Sequence, residues 1–280
     1  MKTGVNDIRK AISDFNPDVI YSEFSLPAII AGKLENKKIY VTSSYPTQYE
    51  YSCTPKYAGG LNKLLRESKL PAVESALQIF LYADKTFVPS CRQLEPFQRK
   101  DIIFCGALQH INPVISKNRD KILVYMGNGT ISQGKMIKEI MAAFKGSPCS
   151  VYLAGRGLKE QSLGNIHIAS HFNFQKLLPE CLLFIHHGGQ NSMTDALIYG
   201  VPQLICAGKV FERKYNASSI VRSGAGLEIP CQDFTGRNIK AAFEKIISDE
   251  SYQTNAAKIG QILLSLGGTK KIIQTLIQDI

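Results

Sequence analysis

The sequence predicts an α/β protein of two lobes, the second a doubly wound parallel sheet. Three observations predict it. Short apolar runs alternate with helix-length amphipathic stretches, the order that builds parallel strands with helices on their faces. The alternation breaks once, between Gly106 and Asp120, where Gly, Asn and Pro occur without apolar periodicity and read as an interdomain linker. A chain of 280 residues is also long enough for two such cores.

In the first lobe, Val5, Ile8, Ala11, Ile12 and Phe15 fall on one helical face, with Thr3 as the cap. Asn16-Pro17-Asp18 ends that helix. Val19-Ile20-Tyr21 reads as a buried strand with Ser22, Glu23 and Phe24 at its C-terminal end. Ala28 to Leu34 is helical and Ile39 to Thr42 is the next strand. Ser43 to Gly60 is a long loop rich in Tyr, of a kind that lines sites or is merely disordered. Leu61 to Ala83 is expected to be mostly helical, with Pro71 opening a second helix. Thr86–Val88 and Ile102–Phe104 are short strands. The lobe opens on a helix and has few strands for a doubly wound sheet, so it is expected to be incomplete.

The second lobe starts with a strand at Lys121–Met126, a glycine turn at Gly127–Thr130 and a helix from Ser132 to Phe144. Strands follow at Ser150–Leu153 and Ile166–Ile168, then a short helix at Gln175–Pro179. Phe184 to Cys206 then reads strand, glycine turn, helix, turn, strand. Gly188 and Gly189 allow a sharp turn and a close approach to backbone. Asn191 or Ser192 is expected to cap the helix, with Asp195 at capping-box spacing from Ser192. Gly200 and Pro202 end it. Phe211–Arg222 is a helix, Gly226–Ile229 a strand, and the tail from Thr235 helical with a break at Gly267-Gly268.

A helix N-terminus at the C-terminal edge of a parallel sheet is an anion site. His186 and His187 are adjacent on extended chain, so their side chains face opposite ways. His186 reads as a satisfied core residue and His187, beside the glycines, as a phosphate donor. Asn191, Ser192 and Asp195 are a helix cap, a role compatible with anion binding. Gly127–Thr130 lacks a Lys at P-loop spacing and has value only by its place on the same sheet edge. Phe172 is either core packing or a platform for a planar base. Glu212, at a helix start with Arg213, either complements the dipole or binds a polyhydroxylated ligand. No zinc spacing and no Gly-x-Ser-x-Gly elbow occurs, so neither a metal nor a serine hydrolase is expected.

Hydrophobic content of 44% and charged content of 20% suit a soluble globular chain. The formal charge of +10 is dispersed; it reads first as a solvated basic surface and second as attraction to phosphates or an anionic membrane face. It forms no aromatic-interleaved stripe for nucleic acid. Seven scattered Cys without a Cys-x-x-Cys fit a reducing compartment. With no signal-like start, the expected location is cytoplasmic, compatible with peripheral membrane contact.

The ordered string His187-Gly-Gly-Gln-Asn-Ser192, Asp195, Gly200-Val-Pro202, Glu212-Arg213, Asn216-Ala217 and Gly224-Ala-Gly226 resembles the C-terminal half of UDP-glycosyltransferases and the related peptidoglycan GlcNAc-transferases. The resemblance implies two Rossmann-like lobes of GT-B type: residues 1–107 on the acceptor side, 108–268 binding the nucleotide sugar, and a helix at 269–280 docking back on the first lobe. It implies that His187, Gly189, Asn191 and Ser192 hold a diphosphate, with Gly188 among the donor-binding residues. Phe172 and Gln175 would face base and ribose, with Asp195 near the ribose. Gly127, Gly129 and Thr130 would face phosphates or sugar, and Glu212 and Arg213 the donor sugar. Arg213 stands where Gln is usual, which bears on the sugar's identity. Such enzymes transfer sugar with inversion from a UDP-sugar to a hydroxyl, with no cofactor and no obligatory metal. Their usual base is a His early in the first lobe. This chain has no His before His110, although Glu23 matches the acid that orients such a His. A catalytically incomplete donor-binding homologue and a sugar-nucleotide epimerase are the alternatives. The acceptor is not written in the sequence; a lipid-linked one is compatible with the basic charge.

Overall fold

In a computed structural model of the protein, residues 1–45, 58–96, 99–109, 113, 116, 118–127 and 130–279 are described. The chain divides into two compact units, Met1–His110 with Leu266–Ile280, and Ile111–Ser265. The first crossing falls inside the stretch read as a linker.

The first unit is built on a four-stranded parallel sheet in the order β1 (Val19–Glu23), β2 (Lys38–Thr42), β3 (Lys85–Val88), β4 (Ile102–Phe104). Helices α1 (Lys2–Phe15), α2 (Leu26–Leu34) and α3 (Ala58–Glu67) belong to a core containing Val5, Ile12, Ile29, Ile39, Val41 and Leu65. Tyr40, Phe87 and Cys105 form a separate cluster with Ile272 of the last helix, α10 (Gly268–Asp279). Burying one such Ile contributes roughly 1.5–3 kcal/mol. Polar contacts fix the two ends of α10 within this unit. The Gly268 N–H donates to Cys105 O at 2.7 Å, and the Tyr40 hydroxyl donates to Asp279 at 2.8 Å.

Several expectations for this unit need correction. Met1, not Thr3, precedes the first helix, and Thr3 lies inside it with no capping bond. Of the supposed apolar face, Ala11 is exposed and Phe15 is 83% exposed; periodicity alone cannot say what will cover a face. β1 pairs only with β2 and is half-buried rather than buried. The mostly helical stretch expected over 61–83, with a second helix from Pro71, is α3 followed by a 3-10 turn at Ala76–Tyr82. Pro71 opens no helix, and its carbonyl accepts from the Tyr82 hydroxyl at 2.9 Å. Most of the Ser43–Gly60 loop, and His110 in the linker, lie outside the described residues.

The second unit carries a seven-stranded sheet. Its strands are β5 (Lys121–Tyr125), β6 (Ser150–Ala154), β7 (Gln161–Leu163), β8 (Ile166–Ala169), β9 (Cys181–His186), β10 (Gln203–Ile205) and β11 (Gly226–Glu228). They lie in the order β11-β10-β9-β5-β6-β8-β7, all parallel except β7. This is the doubly wound sheet the sequence predicts; the polar, three-residue β7 was not foreseen because it shows no apolar alternation. Helix α4 (Gln133–Phe144) packs with α8 (Gly236–Ile247), and α6 (Gln190–Ile198) with α9 (Ser251–Ser265). The remaining helices are α5 (Phe174–Leu177) and α7 (Phe211–Arg222). Ile122, Val124, Leu153, Ile168, Leu183 and Ile185 form the centre of the core. β5 and β9 are neighbours with Tyr125 opposite His186. The turns after both strands therefore emerge side by side.

Candidate functional site

The site is built on those two turns. The His187 ring is wedged between them: a Cβ added to Gly127 would lie 2.9 Å from its Cε1, and one added to Gly189 2.7 Å from its Nε2. Only glycine at both positions leaves room for the ring. Nδ1 of His187 lies 3.4 Å from the Tyr125 carbonyl, which can only accept, so Nδ1 carries the proton and Nε2 is bare in this arrangement. Burial, and then the charge of Arg213, lower the His187 pKa, while the Tyr125 contact opposes them. The free site therefore holds a neutral imidazole at pH 7. An incoming phosphate favours the imidazolium or the Nε2–H tautomer, and the long Tyr125 bond is weak enough to yield.

The other histidine anchors the turn. The Gly188 N–H donates to His186 Nδ1 at 3.1 Å, so the neutral ring keeps its proton on Nε2 and donates it to Gln203 Oε1 at 2.8 Å. Gln203 in turn donates to Met193 O at 3.3 Å. Burial pushes His186 down to about 3, and it stays uncharged. From the other side, Asn216 Nδ2 donates to Gly188 O at 2.9 Å. Both backbone polar groups of Gly188 are thus taken by buried side chains, which corrects its expected place among the donor-binding residues. Its φ of +83° and the Arg213 carbonyl 2.9 Å from a would-be Cβ require glycine there.

Helix α6 begins two to three residues earlier than expected. Gly189 is its N-cap, in extended conformation, and the first internal bond runs from Met193 N–H to Gly189 O at 3.0 Å. Asn191 and Ser192 lie within the first turn and make no capping bond, and the box with Asp195 does not form. The N–H groups of Asn191 and Ser192 consequently have no intrahelical acceptor, and they point with the positive end of the helix dipole. At the opposite end, the Arg119 guanidinium donates to Gly200 O at 2.8 Å, Tyr199 O at 2.7 Å and Cys181 O at 3.2 Å. The helix is therefore fixed at its C-terminus and left open at its N-terminus, an arrangement that binds anions.

The remaining residues are less uniform. Arg213 donates from Nη1 to Thr130 Oγ1 at 2.8 Å, joining the first turn of α7 to the turn after β5. Glu212 is half-buried in that turn, its carboxyl raised by burial against the pull of Arg213. Asp195 lies in the second turn of α6, where burial raises it to about 6. Gly127 has φ +57°, while Gly129 lies outside the described residues. Phe172 is half-buried in the loop after β8 and meets Tyr152 edge-on at 5.4 Å. The rings that lead to His187 are instead Phe174 and Tyr125, 5.6 Å apart, with Tyr125 5.5 Å from His187. Gln175 is exposed on α5. Glu23 is exposed at the end of β1, in the other unit. Sequence reasoning missed the anchoring roles of Gln203 and Arg119, and gave Asn216 no task; for Gln203 alone, a lone polar residue in an apolar run was the available signal. A cleft of about 600 Å³ beside Thr130 is lined by Gly208, Lys209, Lys214, Glu228 and Cys231. Among the described residues no group of His, Cys, Asp and Glu could hold a metal, and no helix is long and apolar enough to cross a membrane.

Residues 155–278 match the family described as Erythromycin biosynthesis protein CIII-like, C-terminal domain. The NDP-glycosyltransferase YjiC of Bacillus subtilis (strain 168) is 22% identical over 300 residues, covering 94% of this chain and 73% of that protein. The glycotransferase of kitacinnamycin superposes with a TM-score of 0.83 at 18% identity, over 99% of this chain and 79% of that one. Glycosyltransferase VinC in complex with DTDP superposes at 0.76 and 15% identity, over 98% and 74%. At these identities the structures show the fold, which is the two-lobed one the sequence led us to expect. The comparisons favour a transferase over the epimerase alternative.

Proposed function

We propose that this chain, a GT-B protein of the UDP-glycosyltransferase type, binds the diphosphate of a nucleotide sugar at the α6 N-terminus and transfers the sugar with inversion to an acceptor hydroxyl. The observation that carries the reading is the His187 ring set between Gly127 and Gly189, directly before a helix start at which Asn191 and Ser192 N–H have no acceptor within the helix. In the reaction the acceptor oxygen bonds to the anomeric carbon as the bond from that carbon to the phosphate oxygen breaks. Charge then accumulates on the departing diphosphate, where fixed backbone dipoles and a protonated His187 stabilise it without a metal. Glu212 and Arg213, on the same first turn of α7, would meet the sugar. Phe172 and Gln175 would meet base and ribose, with Asp195 near the ribose. The acceptor must also lose a proton; no residue of this chain is assigned that task, and Glu23 is at most a positioning carboxylate for it. UDP is the nucleotide we favour, and the thymidine diphosphate held by VinC makes dTDP the comparison to run. A cytoplasmic location fits the six Cys that are free among the described residues.

The test is turnover of UDP- and dTDP-hexoses with a panel of hydroxyl acceptors, followed as nucleoside diphosphate release with the anomeric configuration of product read by NMR. Product of inverted configuration is expected. A retained configuration refutes the inversion, and nucleotide-sugar binding without any transfer replaces the enzyme reading with that of a donor-binding homologue.

A further inference from the structure

The C-terminal ends of β10 and β11 carry a thiol pair that the donor site does not use. Cys206 follows β10 and is fully buried, and its Sγ lies 3.3 Å from Sγ of Cys231. Cys231 opens a short 3-10 turn after β11, is partly exposed, and lines the cleft beside Thr130 and Gly208. The two strands are adjacent and parallel, bonded from the Ile229 N–H to Ile205 O at 2.8 Å. An approach of roughly 1.3 Å would bring the sulfurs to bonding distance.

The other described thiols differ. Cys91, Cys105, Cys149 and Cys181 are all buried. Cys105 and Cys181 donate to carbonyls, those of Val88 and Leu177, and burial holds each at about 12. Cys206 is also raised by burial, with the Lys135 ammonium acting against it; the same ammonium donates to Cys231 O at 3.0 Å. The pair therefore combines one accessible sulfur and one sheltered sulfur within contact of each other.

We propose that Cys206 and Cys231 form a dithiol modification site that reacts with a low-molecular-weight disulfide of the glutathione class to close an intramolecular disulfide. The Cys231 thiolate attacks one sulfur of the oxidised reagent, forming a mixed disulfide and releasing one thiolate. The Cys206 thiolate then attacks the Cys231 sulfur and releases the second. The protein loses two protons and two electrons, and the reagent is reduced to two thiols. The closed loop contains Glu212, Arg213 and Asn216, the last of which holds the Gly188 turn. The inference stands on the sulfur geometry alone and does not depend on the donor reading.

Intact mass spectrometry of the full chain in oxidised glutathione tests it. The parent is expected to lose about 2 Da and to yield a Cys206–Cys231 cross-linked peptide without reduction. Cys206→Ser should stop at a single glutathione adduct on Cys231, and Cys231→Ser should form neither product at this site. Cys206→Ala, with melting curves for all variants, separates chemistry from misfolding. An unchanged parent mass, a bridge to another cysteine, or a stable adduct on Cys231 of the parent would overturn the proposal.

Discussion

The two units present the ends of their strands differently. In Ile111–Ser265, the glycine turn after β9 is held from every side: His186 and Asn216 take both backbone groups of Gly188, and His187 fills the gap between Gly127 and Gly189. In the unit Met1–His110 with Leu266–Ile280, β1 pairs with β2 alone among the described residues, and Tyr21 within it and Phe24 just after it are 43% and 53% exposed. Binding by fixed backbone donors is legible within one unit when buried side chains leave the turn a single conformation. The turn after β1 is held as well, by the buried Ser22 hydroxyl on the Ser25 backbone, but the Glu23 side chain beside it is exposed.

The most severe way to break the contrast is to unlock the turn. Gly188→Ala would place a Cβ 2.9 Å from Arg213 O in a left-handed conformation, costing roughly 2–4 kcal/mol. Nucleoside diphosphate affinity should fall by about 100-fold or more, with a lowered melting temperature. Calorimetry and thermal denaturation check both. An unchanged affinity would mean that the turn does not organise the site.

Next in size is His187→Gln, which should weaken nucleoside diphosphate binding by about 10- to 100-fold, the worth of one hydrogen bond to a charged group. Its sharper signature is pH. The free ring has a lowered pKa and is neutral, whereas a bound anion raises that pKa, so binding takes up a proton. Affinity of the parent should therefore rise as pH falls between the bound and free pKa values, by up to about tenfold per unit. The parent-minus-variant difference removes the phosphate's own titration and that of Asp195; a flat difference would remove His187 from the phosphate.

Asn216→Ala comes third. It leaves Gly188 O without its 2.9 Å donor, a loss of about 1–3 kcal/mol in stability that chemical denaturation would measure, with a smaller loss of affinity through the turn. If stability is unchanged, the turn has other support. The smallest effect belongs to the other unit: Glu23→Gln should leave nucleoside diphosphate affinity within about twofold. A larger change would join the units in donor binding and erase the contrast.

How much of this was legible follows from the same difference. The central strands β5 and β9 carry continuous apolar runs because both faces are covered, and the Gly-Gly pair announced its turn. The capping box was misread because Gly189, in extended conformation, already precedes the helix, so the Ser192–Asp195 spacing serves no capping bond. Asn216 and Gln203 escaped assignment because their partners, Gly188 O and His186, are distant in sequence and meet them only across packed elements. Phe174 outranks Phe172 in reaching His187 through Tyr125, a distinction of side-chain direction that residue type does not reveal. In the first unit, the helical period at Phe15 was correct and its burial was not.

The central claim is that the turn around His187 and the start of α6 hold a nucleoside diphosphate. Titration calorimetry of UDP and dTDP into the folded full chain, beside Gly188→Ala, tests it most directly. One-to-one binding of at least one nucleotide to the parent, and its loss in the variant, is the expected result. Absence of binding of both to the folded parent, or equal binding by the variant, would contradict it.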